Sequence, residues 1–183
     1  MRLFRHYTEL PSDARGSAAA IGNFDGVHLG HMAVIEDARR EAKRLGAPLA
    51  VLTFEPHPRC YFQPDAPDFR LTPFRTKVRL LEEAGVDLLF ALAFDSSMAS
   101  LTAEAFAERV LVAGLDLRHA SIGYNFAFGK GRTGDAATLL EFGLARGFGV
   151  TPVGPALSVN GKAYSSSRAR ALIAGGEVAE AAQ

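Results

Sequence analysis

Short apolar runs alternate with longer stretches in which apolar positions recur every three or four residues, almost from one end of the chain to the other. The runs 17–22, 49–54, 88–93, 119–123 and 149–153 read as buried strands. Between and after them, 30–45, 73–84, 103–112, 135–146 and 167–174 read as helices; in the first, Val34, Ile35, Ala38, Ala42 and Leu45 share one face. Strands separated by helices predict an α/β fold, a Rossmann-like parallel sheet with helices on both faces. The proline-rich stretch 59–74 breaks the alternation and is too long for an ordinary connection, so it is read as a small subdomain or flap. Val159-Asn160-Gly161-Lys162 carries an Asn-Gly hairpin signal, and the alanine-rich tail 176–183 is expected to fray.

Composition narrows this picture. The length of 183 residues suits a single domain with a sizeable core. Twenty basic residues balance twenty acidic ones, so nothing draws the chain to nucleic acid or to an anionic membrane. Cations that meet a phosphate must be placed locally. The lone cysteine, Cys60, excludes an internal disulfide or a cysteine zinc site and is read as incidental. No apolar run reaches the length of a membrane span, and MRLFRHYTELP lacks the apolar core of a secretory signal, so a soluble cytoplasmic protein is expected.

The chemistry concentrates in GNFDGVHLGH, residues 22–31. A strand, a glycine-broken turn and two histidines entering a helix make a site suited to phosphate, because the free N–H groups and the dipole of a helix start favour an anion. His28 and His31 stand about one turn apart and can offer imidazole N–H groups to one oxyanion. Gly30 is expected to let a ligand approach the backbone closely. Asn23 and Asp25 suit the turn itself.

TFEPHP (53–58) and GYNFAFGKGRTGD (123–135) also follow predicted strands, so all three segments should converge at the carboxyl edge of the sheet, where such folds bind ligands. His57, between two prolines, would be aimed by a stiff backbone. In SSSRAR (165–170), Ser166 or Ser167 is expected to cap the last helix, and Arg168 and Arg170 cannot share a face. Asp135 is expected to cap the helix that follows it. Gly129-Lys130-Gly131-Arg132-Thr133-Gly134 matches G-x-G-x-x-G, but it does not open from the first strand and no acid follows about twenty residues later. Lys130 is followed by Gly131 where a P-loop needs Ser or Thr.

GVHLGH resembles the H-x-G-H signature of the nucleotidylyltransferase superfamily. The four segments GNFDGVHLGH, TFEPHP, GYNFAFGKGRTGD and SSSRAR, in that order, resemble the FMN adenylyltransferase module of bacterial bifunctional riboflavin kinase/FAD synthetases. The resemblance implies a nucleotidylyltransferase-type fold and transfer of AMP from ATP, with Mg²⁺, to FMN. It implies catalytic roles for His28, His31 and Arg170, and ATP-phosphate contacts from Gly22, Asn23, Phe24, Asp25, Gly30, Ser166 and Ser167. Flavin contacts would come from His57, Phe62, Phe106, Asn125 and Phe128, while Lys130 or Arg132 would meet phosphate and Arg168 would be auxiliary. With no tryptophan, a flat ring must rest on Phe, Tyr or aliphatic side chains.

Nothing in the sequence resembles the riboflavin kinase module, so that module is expected to be missing and no riboflavin phosphorylation is expected. Two other readings stay open. One is an adenylyltransferase for pantetheine phosphate or nicotinamide mononucleotide. The other is a flavin- or nucleotide-binding regulator without catalysis.

Overall fold

The computed structural model describes residues 1–65 and 69–182. Its strands are β1 (Arg2–Phe4), β2 (Ala18–Ile21), β3 (Leu49–Glu55), β4 (Leu88–Ala93), β5 (His119–Gly123) and β6 (Gly149–Val153). They form one parallel sheet in the order β1-β4-β3-β2-β5-β6. Its helices are α1 (Leu29–Leu45), α2 (Pro58–Phe62), α3 (Phe74–Glu83), α4 (Ser96–Ala99), α5 (Ala103–Phe106), α6 (Ala136–Arg146), α7 (Ser166–Ala174) and α8 (Val178–Ala181). The chain winds outward from β2 through β3 to β4, then returns to the other side of β2 for β5 and β6. The switch therefore falls between β2 and β5. Their register, Ile21 opposite Ile122, opens Gly22 and Gly123 side by side at the carboxyl edge.

Alternation along the strands divides the core. In β3, Leu49 and Val51 face α1 and α3 with Val34, Ile35, Ala38 and Leu81, whereas Ala50, Leu52 and Phe54 face the opposite layer with Phe106, Val110, Leu111 and Leu139. Both faces are apolar, as a covered parallel sheet requires. The three alanines that open β2 keep that central strand slim and are completely buried.

The five predicted strands are present within one or two residues, and the predicted helices are present with changed ends. The helix expected over 103–112 winds as α5 and then as a π-helix over Ala107–Gly114, with the Leu115 N–H reaching the Val110 carbonyl at 2.9 Å. β1 went unpredicted because three residues are too few to show a period; it pairs with β4 at the edge. α2 starts at Pro58, just ahead of the proline-rich stretch, with His57 as its N-cap, and so carries a helix into the segment expected to form a flap, of which 66–68 lie outside the described residues. The predicted hairpin forms between Leu157 and Ala163, with the Ser158 N–H donating to the Lys162 carbonyl. The tail does not simply fray: α8 is tied back through Glu180 to Arg168 at 2.6 Å.

Candidate active site

Beyond the carboxyl ends of β2, β3 and β5 lies a cavity of about 830 Å³. Its walls include Gly22, Asn23, Phe24, Asp25, His28, Gly30, His31, His57, Phe62, Phe106, Asn125, Phe128, Ser166, Ser167 and Arg170. These residues, expected for catalysis, phosphate and flavin, thus meet in one space, joined by Arg132, whereas Lys130 is not among the described residues that line it. The sheet explains why: each segment continues from a strand or helix end at the same edge.

The turn from β2 into α1 carries backbone conformations that side chains rarely adopt, with φ of +48° at Phe24 and +39° at the β-branched Val27. It delivers His28 as the N-cap of α1, where Nδ1 accepts the His31 backbone N–H at 3.3 Å. An Nδ1 that accepts leaves the proton on Nε2, which lies 3.3 Å from Ser166 Oγ. Ser166 in turn donates to the Asp25 carbonyl at 2.7 Å. The His28 and His31 rings stack, 3.7 Å between centroids and 22° between planes. Gly30 lines the cavity, and a Cβ there would lie 3.0 Å from the His28 ring and from the Tyr164 carbonyl. Its missing side chain makes room for protein atoms.

Electrostatics keep the pair neutral. Burial pushes the His31 pKa down to about 3, helped by His28, Lys77 and Arg170 against the pull of Asp25. Burial also lowers His28. At neutral pH both rings are hydrogen-bond donors without charge. The His31 Nδ1 atom is buried with no partner among the described residues. Burial likewise takes His57 down to about 4, against the pull of Asp25; its Nδ1 caps α2 by accepting the Arg59 N–H at 3.1 Å.

Asp25, for which the resemblance implies a phosphate contact, lines the cavity and is a buried hub. Its carboxylate accepts the N–H groups of Leu71 and Thr72 at 3.0 Å and Arg170 Nη2 at 2.5 Å. Burial alone would raise its pKa, but those N–H groups and the guanidinium outweigh it and hold the carboxyl below its ordinary value. Arg170 spends Nε on the Phe69 carbonyl at 2.8 Å and stacks over the Phe69 ring; its Nη1 has no partner among the described residues. The cap of α7 is Ser165, one residue before the expected serines, because its Oγ accepts the Arg168 N–H at 3.2 Å. That choice frees Ser166 for Asp25 and His28. Arg168 turns away to Glu180, as the two-residue spacing requires.

The apolar end of the cavity is a chain of rings. Phe106 and Phe128 are buried and 5.6 Å apart, and the exposed Phe62 meets Phe94 edge-on at 5.8 Å. Asn125 is exposed at the rim, in the turn after β5. Sequence reasoning missed Phe54 and Phe94, which also line the cavity. Their signal was available, since Phe54 lies at the end of β3 and Phe94 directly follows β4. Lys77 is buried although nothing in its helical pattern distinguishes it from a surface lysine. Asp135 caps α6 as expected, accepting the Thr138 N–H at 2.9 Å. Among the described residues no cluster of three or more His, Cys, Asp or Glu could hold a metal ion. No described helix is long and apolar enough to cross a membrane.

Solved structures share this architecture. A macrolide-efflux protein from Streptococcus pneumoniae superposes with a TM-score of 0.81 at 26% identity, over 98% of this chain and 59% of that one. Pantothenate synthetase from Thermus thermophilus superposes at 0.59 with 19% identity, over 92% and 67%, a likeness of fold alone. The fold is thus an α/β fold of the nucleotidylyltransferase type. The family model described as FAD synthetase matches residues 10–168, and the chain belongs to that family. The bifunctional riboflavin kinase/FMN adenylyltransferase of Pseudomonas fluorescens is 39% identical over 174 residues, 95% of this chain and 55% of the relative. The protein of the same name from Escherichia coli (strain K12) is also 39% identical, over 152 residues, 82% of this chain and 49% of the relative. The chain spans about half the length of these curated relatives.

Proposed function

We propose that this chain is an FMN adenylyltransferase, which transfers AMP from MgATP to FMN to give FAD and pyrophosphate. The observation that carries this reading is the stacked His28–His31 pair at the switch point, beside the start of α7 and Arg170 and opposite a ring-lined recess. The FAD synthetase family model and the names of the curated relatives support the choice of acceptor.

A phosphate monoester has a second pKa of about 6, so the FMN phosphate is mostly a dianion at neutral pH and needs no general base. One of its oxygens attacks the α-phosphorus of ATP in line. The bond from that phosphorus to the bridging oxygen breaks, and pyrophosphate leaves with the electron pair. Charge builds on the α-phosphate and the leaving group, and positioned donors lower that barrier most. The neutral ring of His31, the Nε2–H of His28 as it turns from its 3.3 Å contact with Ser166 to the phosphate, the N–H groups at the start of α7 and the Nη1 of Arg170 supply such donors. Mg²⁺ arrives as part of the substrate, held mainly by ATP phosphates and water. Phe62, Phe106 and Phe128 offer the flavin ring its apolar bed.

Incubation of the purified chain with ATP, Mg²⁺ and FMN, followed by chromatography, is expected to yield FAD and pyrophosphate one to one. ATP alone should leave no adenylylated protein. Binding of both ligands without turnover would turn the reading to a regulator. Failure to bind FMN would turn it to another phosphate acceptor.

A further inference from the structure

Lys77 is a buried cation that the reaction just described does not use. It lies on the inner face of α3 at 3% exposure, and its Nζ donates to the Asn23 carbonyl at 2.9 Å. The same oxygen accepts Thr53 Oγ1 at 3.1 Å, from the middle of β3. Both lone pairs of one turn carbonyl are therefore occupied, by donors from two different elements. An ammonium is costly to bury, and among the described residues no carboxylate lies within ion-pair distance of this one. A surface lysine with its head in water would serve α3 equally well.

We infer that Lys77, seconded by Thr53, is a positioning residue for the phosphate site: it holds the Asn23–Phe24 peptide in the orientation that presents the Phe24 N–H for anion binding. A trans peptide is planar, with its C=O and N–H opposed. Drawing the Asn23 oxygen toward α3 and β3 turns the Phe24 N–H the other way. No protein acceptor is found for that N–H among the described residues, and both Asn23 and Phe24 line the cavity. Phe24 takes φ of +48°, a conformation that an L-residue keeps only when its surroundings enforce it. That torsion directly adjoins the peptide whose oxygen Lys77 grips. Charge adds to geometry, since the ammonium disfavours protonation of His31 and His57 and raises the positive potential beneath the cavity. The inference rests on the nucleotide reading of that cavity but not on the identity of the acceptor.

The test uses Mg²⁺ with α,β-methylene-ATP, which binds without transferring AMP, so it stands apart from the FAD assay. In the full chain, Lys77→Met should fold with a melting temperature close to the parent's and bind the analogue about tenfold more weakly, the scale of a lost charged hydrogen bond. The parent's Phe24 amide resonance should shift on analogue binding, and that shift should disappear in Lys77→Met. Lys77→Gln, which keeps a donor without the charge, should recover part of the affinity. Thr53→Val should weaken binding in the same direction by less, with Thr53→Ser restoring it. If Lys77→Met does not fold, the glutamine and Thr53 variants decide by the same readouts. Parent-like affinity together with a parent-like Phe24 shift in the variants that fold would overturn the inference, whether or not the parent makes FAD.

Discussion

At the scale of single residues, the site works through neutral donors that burial has prepared. His28 has one tautomer compatible with its contacts, because Nδ1 accepts from the backbone and Nε2 must carry the proton toward Ser166. His28→Asn or His31→Asn is expected to lower kcat by about a hundredfold or more, the scale of a lost oxyanion donor, while KM for ATP changes a few-fold at most. Steady-state kinetics with FMN saturating check this, and a change confined to KM would remove both residues from the transition state. Stability against acid reads the same burial. His31 and His57 titrate near 6.5 when unfolded but near 3 and 4 when folded, so the unfolded chain binds more protons between those values. Stability should therefore fall as the pH drops from about 6.5 toward 4. Denaturant titrations at several pH values should show that slope reduced by up to one proton in His31→Gln.

Elements aim these residues. Gly30 opens α1 at a point where a side chain would press on His28 and on the carbonyl of Tyr164. Gly30→Ala should cost about 1–3 kcal/mol of stability, the usual range for overpacking, and should lower activity through the displaced His28 ring. Thermal melting beside the FAD assay separates the two effects. For α7 the serines divide their labour. Ser165→Ala removes a cap and is expected to cost about 1 kcal/mol, with activity kept in proportion to folded protein. Ser166→Ala instead severs the link from Asp25 to His28 and should reduce turnover more than stability. The serine run alone could not tell these apart, since any of its members can cap a helix and only the packing of α7 against the β2–α1 turn selects Ser165.

At the scale of the whole molecule, Asp25 joins three parts of the chain that are far apart in sequence: its own turn, Leu71–Thr72 ahead of α3, and Arg170 on α7. Its carboxylate is buried, and removing one partner of a buried charge pair commonly costs about 3–5 kcal/mol. Asp25→Ala should approach that loss in a denaturant titration and should uncouple α7 from the cavity. A surface-like effect below about 1 kcal/mol would mean that the hub is not holding these parts together. The exposed Phe62 lies outside this frame, so Phe62→Ala should weaken FMN binding with little change in melting temperature, as fluorescence titration would show.

Five of the six strands and the longer helices, the convergence of three motifs on one edge and most of the cavity's residues were legible in the sequence, whereas β1 and the contributions of Phe54 and Phe94 were not read from it. Apolar periodicity and strand-end position are local properties that any parallel sheet converts into the same geometry. The tertiary structure decided what those residues do to one another. It placed Asp25 in a buried hub, chose Ser165 over its neighbours as the cap, filled the space beside Gly30 with protein atoms, and set Lys77 beneath the first turn. Each of these outcomes depends on which groups meet across the fold and on how much water is excluded when they do. Burial and pairing at a distance leave no period along the chain.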